Sequence, residues 1–139
     1  MGAAKSASTA ASTRSGAVFA RLRAILSKHA DRFSVTSDTS DRYCLESPVG
    51  PATLRAWGGK MKRSWIPVAW VEFGKAYVSF HLMAMDPALR GEMSAGLEKR
   101  MQGKTCFNFT VVDEALFREL EHLTARGLAA FTRAGFITS

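Results

Sequence analysis

Glu72, Ser79, His81 and Cys106 are the side chains whose types match a nucleophilic or acid/base site, and Lys104 stands two residues before the cysteine. Ser79 with His81 would pair a nucleophile and a base, Glu72 would orient the base, and Lys104 would lower the thiol pKa. Spacing argues against each of these. Residues two apart on a strand sit side by side, about 7 Å apart, without facing each other, and no G-x-S-x-G turn surrounds Ser79. A hairpin turning at Gly74-Lys75 places Glu72 and His81 on the order of 13 Å apart, beyond hydrogen-bond reach. Cys106 then reads as an inert, buried thiol. What remains is recognition: Trp70, Glu72, Tyr77, Ser79 and His81, with Asn108 if its strand lies alongside, mix aromatic and polar groups on a surface able to hold a small ligand. No catalytic residue, metal ligand or cofactor is expected.

The element that must position these groups is Ser64 to Met85, two extended apolar runs broken at Gly74-Lys75. A two-residue loop with Gly first, at positive φ, pairs Phe73 with Ala76, Val71 with Val78, Trp70 with Ser79, Ala69 with Phe80 and Val68 with His81. Opposed residues share a face. Ala69, Val71, Phe73, Ala76, Val78 and Phe80 then form a core face; Val68, Trp70, Glu72, Tyr77, Ser79 and His81 form the other.

The chain of 139 residues, 47% hydrophobic, suits one domain burying roughly two thirds of its unfolded surface. It has no apolar run of the roughly 20 residues a membrane helix needs and no secretory leader pattern, so a soluble, cytoplasmic protein without membrane association is expected. With no secretory pattern in the chain, the isolated Cys44 and Cys106 read as reduced, buried thiols rather than a disulfide, and their lack of C-x-x-C or His spacing argues against zinc ligation. Residues 1–32 carry +5 of the formal +7 and residues 55–63 carry +4, while residues 33–54 carry −2 and the remainder balances. Positive charge is thus concentrated in an N-terminal arm and one loop.

Residues 1–16 are small and polar and read as a disordered basic tail before a single domain at 17–139. From Ala17 the apolar positions Val18, Leu22, Ile25, Leu26 and Phe33 recur at helical spacing and predict a helix to about His29, which would meet the C-terminal dipole. Phe33–Thr36 and Arg42–Ser47 read as short strands. Asp86-Pro87 and Ser94 can cap two short helices, and Lys104–Val111 alternates as a strand. Asp113 caps a last helix whose stripe is Ala115, Leu116, Leu120, Leu123, Gly127, Leu128 and Phe131, with His122 on its wet side. The fold class is α+β: an antiparallel sheet of about five strands with the N- and C-terminal helices packed on one face.

Residues 52–64 form a basic loop in which Arg55, Lys60, Lys62 and Arg63 surround Trp57. Cations interleaved with an aromatic suit a nucleobase and its phosphate, or another anionic partner. Gly58-Gly59-Lys60 is not a phosphate loop, because the G-x-x-x-x-G-K-[ST] spacing is absent. The favoured reading is a non-catalytic small-ligand or protein-interaction module, whose open face could also meet a second copy as a homodimer. Nucleic-acid or anionic-partner binding through the tail and residues 55–63 is second.

The run from Ala76 to Leu128, with His81 on its strand, the Gly103-Lys104 turn, the aromatic strand Cys106–Phe109 and the closing helix, resembles the C-terminal part of the YdhG-like group of small bacterial domains of unknown function. That resemblance implies a small α+β domain and says almost nothing of substrate. It also implies a frataxin-like iron carrier as a further alternative. Here the first helix carries Arg21, Arg23 and Lys28 where an iron-holding ridge needs carboxylates. The cluster Asp113, Glu114, Glu119 and Glu121 is diluted by Arg118 and His122.

Overall fold

A computed structural model describes residues 2–59, 64–85 and 87–138. Its elements are α1 (Gly2–Ser27), β1 (Ser34–Asp38), β2 (Arg42–Pro48), α2 (Pro51–Ala56), β3 (Trp65–Phe73), β4 (Val78–Leu82), α3 (Pro87–Arg90), α4 (Ala95–Glu98), β5 (Cys106–Phe109) and α5 (Glu114–Ala134). The five strands pair antiparallel in chain order, β1-β2-β3-β4-β5. This is the expected α+β architecture, with α1 and α5 on the apolar side of the sheet.

Pairing sets the core out in rows. Tyr43, Val71, Phe80 and Phe107 stand opposite one another across β2 to β5, beside the row Leu45, Ala69 and Leu82. All seven are buried. Phe19 of α1 stacks on Phe73 at 4.9 Å, and Phe117 of α5 meets Phe109 edge-on at 4.9 Å and 87°. Such contacts add to the burial of apolar area that drives the layers together.

The helix expected from Ala17 runs back to Gly2. The added turns are rich in alanine, the strongest helix former, whereas large apolar side chains start only at Val18. From there Val18, Leu22, Ile25 and Leu26 are buried. On the outer side Arg21 holds Glu114 of α5 through two 2.9 Å bonds, Arg23 pairs with Asp38 and Lys28 with Glu121. Exposed pairs of this kind contribute about 0 to 1 kcal/mol each, so burial rather than charge seats the helix.

Asp113 caps α5 by accepting from Leu116 N at 3.1 Å. The buried stripe is Phe117, Leu120, Leu123, Thr124, Gly127 and Leu128. Ala115 is exposed and Leu116 half-buried, which corrects the expected start of the stripe. Phe117 rather than its smaller neighbours finds the sheet at Phe109. Ser94 caps α4 as expected, accepting from Leu97 N at 3.2 Å.

Two expectations along β3 are corrected. The hairpin loop is Gly74–Tyr77, not Gly74-Lys75, with Phe73 opposite Val78, Val71 opposite Phe80 and Trp70 opposite His81. Gly74 donates to the Tyr77 carbonyl at 2.7 Å and is absent from the glycines at positive φ. The register has moved by two positions, and since side chains alternate with period two, Ala69, Val71, Phe73, Val78 and Phe80 stay on one face and Trp70, Glu72, Ser79 and His81 on the other. Only Ala76 and Tyr77 leave the sheet, for the exposed loop. Val68 also departs from the Trp70 face. Against β2, Leu45 pairs with Ala69 but Glu46 with Pro67, so Val68 is the extra residue of a β-bulge that breaks the alternation, and it is buried beside Ala69.

Within the expected loop 52–64, residues 52–56 are helical instead, since Pro51 occupies the favoured first position of α2. Lys60, Lys62, Arg63 and the expected cap Asp86 lie outside the described residues. Among the described residues no helix is long and apolar enough to cross a membrane.

Candidate functional site

The corrected register assembles the polar face in two rows. Cys44, Trp70, His81 and Cys106 run across β2 to β5, and Arg42, Glu72, Ser79 and Asn108 run parallel to them one pleat away. Glu72 and His81, expected on the order of 13 Å apart, are therefore diagonal neighbours, with Oε1 3.5 Å from Nε2. Trp70 and His81 stack at 4.4 Å and 10°. The Trp70 indole donates to Glu72 Oε1 at 3.3 Å, Arg42 donates to Glu72 Oε2 at 3.1 Å, and the guanidinium lies 5.8 Å over the indole. Ser79 donates to Asn108 Oδ1 at 2.9 Å, and Asn108 Nδ2 donates to Gln102 Oε1 at 2.5 Å. Trp70, Glu72, Ser79, His81 and Asn108 are thus brought together. Tyr77 stands apart in the loop, its hydroxyl 3.5 Å from Gln102.

Cys106 Sγ lies 3.9 Å from His81 Nε2, so a thiol, an imidazole and a carboxylate follow one another. A nucleophile, base and orienter need the two outer groups on different ring nitrogens; here both meet Nε2. The electrostatics run the same way. Burial pushes the Cys106 thiol up, the neighbouring Ser79 hydroxyl opposes, and Glu72 raises it further. Burial pushes His81 down, Glu72 opposes and Arg42 lowers it further. Both shifts favour the uncharged forms, a protonated thiol and a neutral ring. Both cysteines are free, and three strand spacings of about 4.8 Å between β2 and β5 put them out of disulfide reach. Among the described residues no group of three His, Cys, Asp or Glu side chains is placed to hold a metal ion.

A lowered imidazole pKa has a consequence for stability. The unfolded ring takes up a proton as pH falls through about 6.5, while the folded ring resists until lower pH, so the unfolded state binds more protons and stability declines below about 6.5. His29, expected to gain from the α1 dipole, instead shifts down as well, through burial and then Arg32. Thermal unfolding between pH 7.5 and 5 is expected to show a falling midpoint, with a shallower slope in His81→Gln. An unchanged slope in that variant would remove His81 as the source.

A second concavity, missed from the sequence, opens between α2, the start of β3 and the end of α5. It is an almost wholly apolar cleft of about 420 Å³, with Trp57, Ile66, Met83, Phe131 and Phe136 among its lining. Trp57 is 66% exposed, Met83 46% and Phe136 40%, although all three are apolar. The cleft exists because the chain after α5 returns to the start of α2. Gly50 N donates to Phe136 O at 3.0 Å, Ala52 N to Gly135 O at 2.8 Å, and Thr53 Oγ1 to Phe136 O at 2.8 Å. Gly50 is required there: a Cβ would fall 2.2 Å from the Gly135 carbonyl oxygen. The one signal in the sequence was the pair Phe136-Ile137 beyond the helix-ending Gly135. Of the residues read as anionic-partner contacts, Arg55 and Trp57 are exposed on α2 and just after it.

These features define a small α+β domain, an antiparallel meander with a polar sheet face and a separate apolar cleft. No family model, curated protein or solved structure matches the chain.

Proposed function

We propose that this protein is a non-catalytic binding module that takes an apolar small molecule, or the apolar side chain of a protein partner, into the cleft beside Trp57. The cleft itself carries this reading: it is concave, has the size of small-ligand sites, and keeps large apolar groups in water at its lip. The polar sheet face serves less well as a pocket. Its Trp70 and His81 rings are already stacked, and both Glu72 oxygens are engaged.

The resemblance to YdhG-like domains is compatible with such a module. The iron-carrier alternative is weakened because the α5 carboxylates are engaged: Asp113 caps the helix, Glu114 holds Arg21, Glu119 holds Ser94, and Glu121 holds Lys28. Nucleic-acid or anionic-partner binding through the α2 segment draws support from exposed Arg55 and Trp57, but Trp57 also belongs to the apolar wall.

Titration with the neutral fluorophore N-phenyl-1-naphthylamine is the test. Enhanced, blue-shifted emission is expected, weakened about tenfold or more by Trp57→Ala and unchanged by Trp70→Ala. No enhancement with the native protein would refute the cleft. Loss in Trp70→Ala with retention in Trp57→Ala would move the site to the sheet face.

A further inference from the structure

The turn after α1 and the second half of α5 line another cleft, of about 530 Å³, which shares no residue with the one beside Trp57. Its walls differ in kind from those beside Trp57. Lys28, Arg32 and Arg133 bring three cations, against Asp31 as the one carboxylate of the lining. The Lys28 ammonium is held by Glu121. The Arg32 and Arg133 guanidinium groups, by contrast, have no hydrogen-bond or ion-pair partner among the described residues. With Lys28 held by Glu121, two guanidinium groups stand against the single Asp31 carboxylate, and the net positive charge on the concavity is focused by its low-dielectric walls. The floor is apolar: Phe33 is 8% exposed and Leu128 3%.

A guanidinium is planar, carries five donors and matches the two oxygens of a carboxylate or phosphate. An apolar floor adds affinity for a carbon skeleton attached to that anion. A polyanion such as nucleic acid would instead favour an extended cationic stripe without a floor. We propose that this cleft binds a small organic anion, a carboxylate or phosphate ester bearing an aryl or alkyl body, with Arg32 and Arg133 clasping the charge and Phe33 and Leu128 supporting the body. The site is separate from the cleft beside Trp57 and does not rest on that reading.

Isothermal titration of the full chain with phenyl phosphate and with phenylacetate, at low and at physiological salt, tests it. Saturable one-to-one binding is expected for at least one of them; which one answers separates a phosphate ester from a carboxylate as the class. Affinity should fall as salt is added, and it should fall about tenfold or more in Arg32→Ala/Arg133→Ala. Both arginines are exposed, so that variant is expected to unfold at the temperature of the native protein. Trp57→Ala should bind these anions as the native chain does, which keeps this result independent of the naphthylamine titration. Binding undisturbed by the double substitution, equal affinity for benzyl alcohol or for inorganic phosphate, or no binding of either anion would overturn the proposal.

Discussion

Phe80→Ala is expected to lower the unfolding free energy by about 3 to 5 kcal/mol, the range for emptying a packed aromatic position. Phe80 is 0% exposed, stands at the centre of the sheet between Val71 and Phe107, and belongs to the row on which α1 and α5 are laid. Neighbours on both sides are held by strand pairing and cannot close over the void, which places the loss in the upper part of the range. For a domain of this size the melting midpoint should drop by roughly 10 °C or more. Chemical denaturation with an unchanged m-value is the measurement. A loss below about 1 kcal/mol would mean that Phe80 does not lie in the core.

Gly127→Ala is expected to destabilise although helix propensity argues the opposite. In the interior of α5, alanine for glycine should by itself stabilise by about 1 kcal/mol. A Cβ at Gly127, however, would sit 2.1 Å from the Ala84 carbonyl oxygen. That atom is backbone, held in place where the Val68 carbonyl takes two donors from Met83 and Ala84. The helix must therefore move off the end of β4, with Leu123 and Leu128 on either side of the contact losing burial. Overpacking of a core typically costs about 1 to 3 kcal/mol, and here the obstacle is rigid, so a net loss of about 2 kcal/mol is expected. The sign decides the matter: a raised unfolding midpoint for Gly127→Ala would show that α5 does not approach the sheet this closely.

The polar face shows how far the letters lead. Trp70, Glu72, Ser79 and His81 could be assigned to one side from alternation alone, and an error of two residues in the loop left that assignment intact because side chains repeat every two residues. Neighbours across strands are a different matter. Moving the loop from two residues to four replaced Ser79 by His81 opposite Trp70, and so created the indole–imidazole stack and brought Glu72 to the ring. Loop length depends on how Gly74 to Tyr77 close on themselves, with Gly74 N on the Tyr77 carbonyl, a local balance that composition does not reveal.

Periodicity and capping residues by themselves determined the α+β class, the strands, the helices begun at Ser94 and Asp113, and the inward side of the hairpin, because each is a local property of side-chain spacing. Both clefts were decided by tertiary structure alone. One needs Phe136 to return to Gly50, the other needs the turn after α1 to lie along α5, and contacts between residues so distant in the chain follow from how the layers pack rather than from any pattern within a segment.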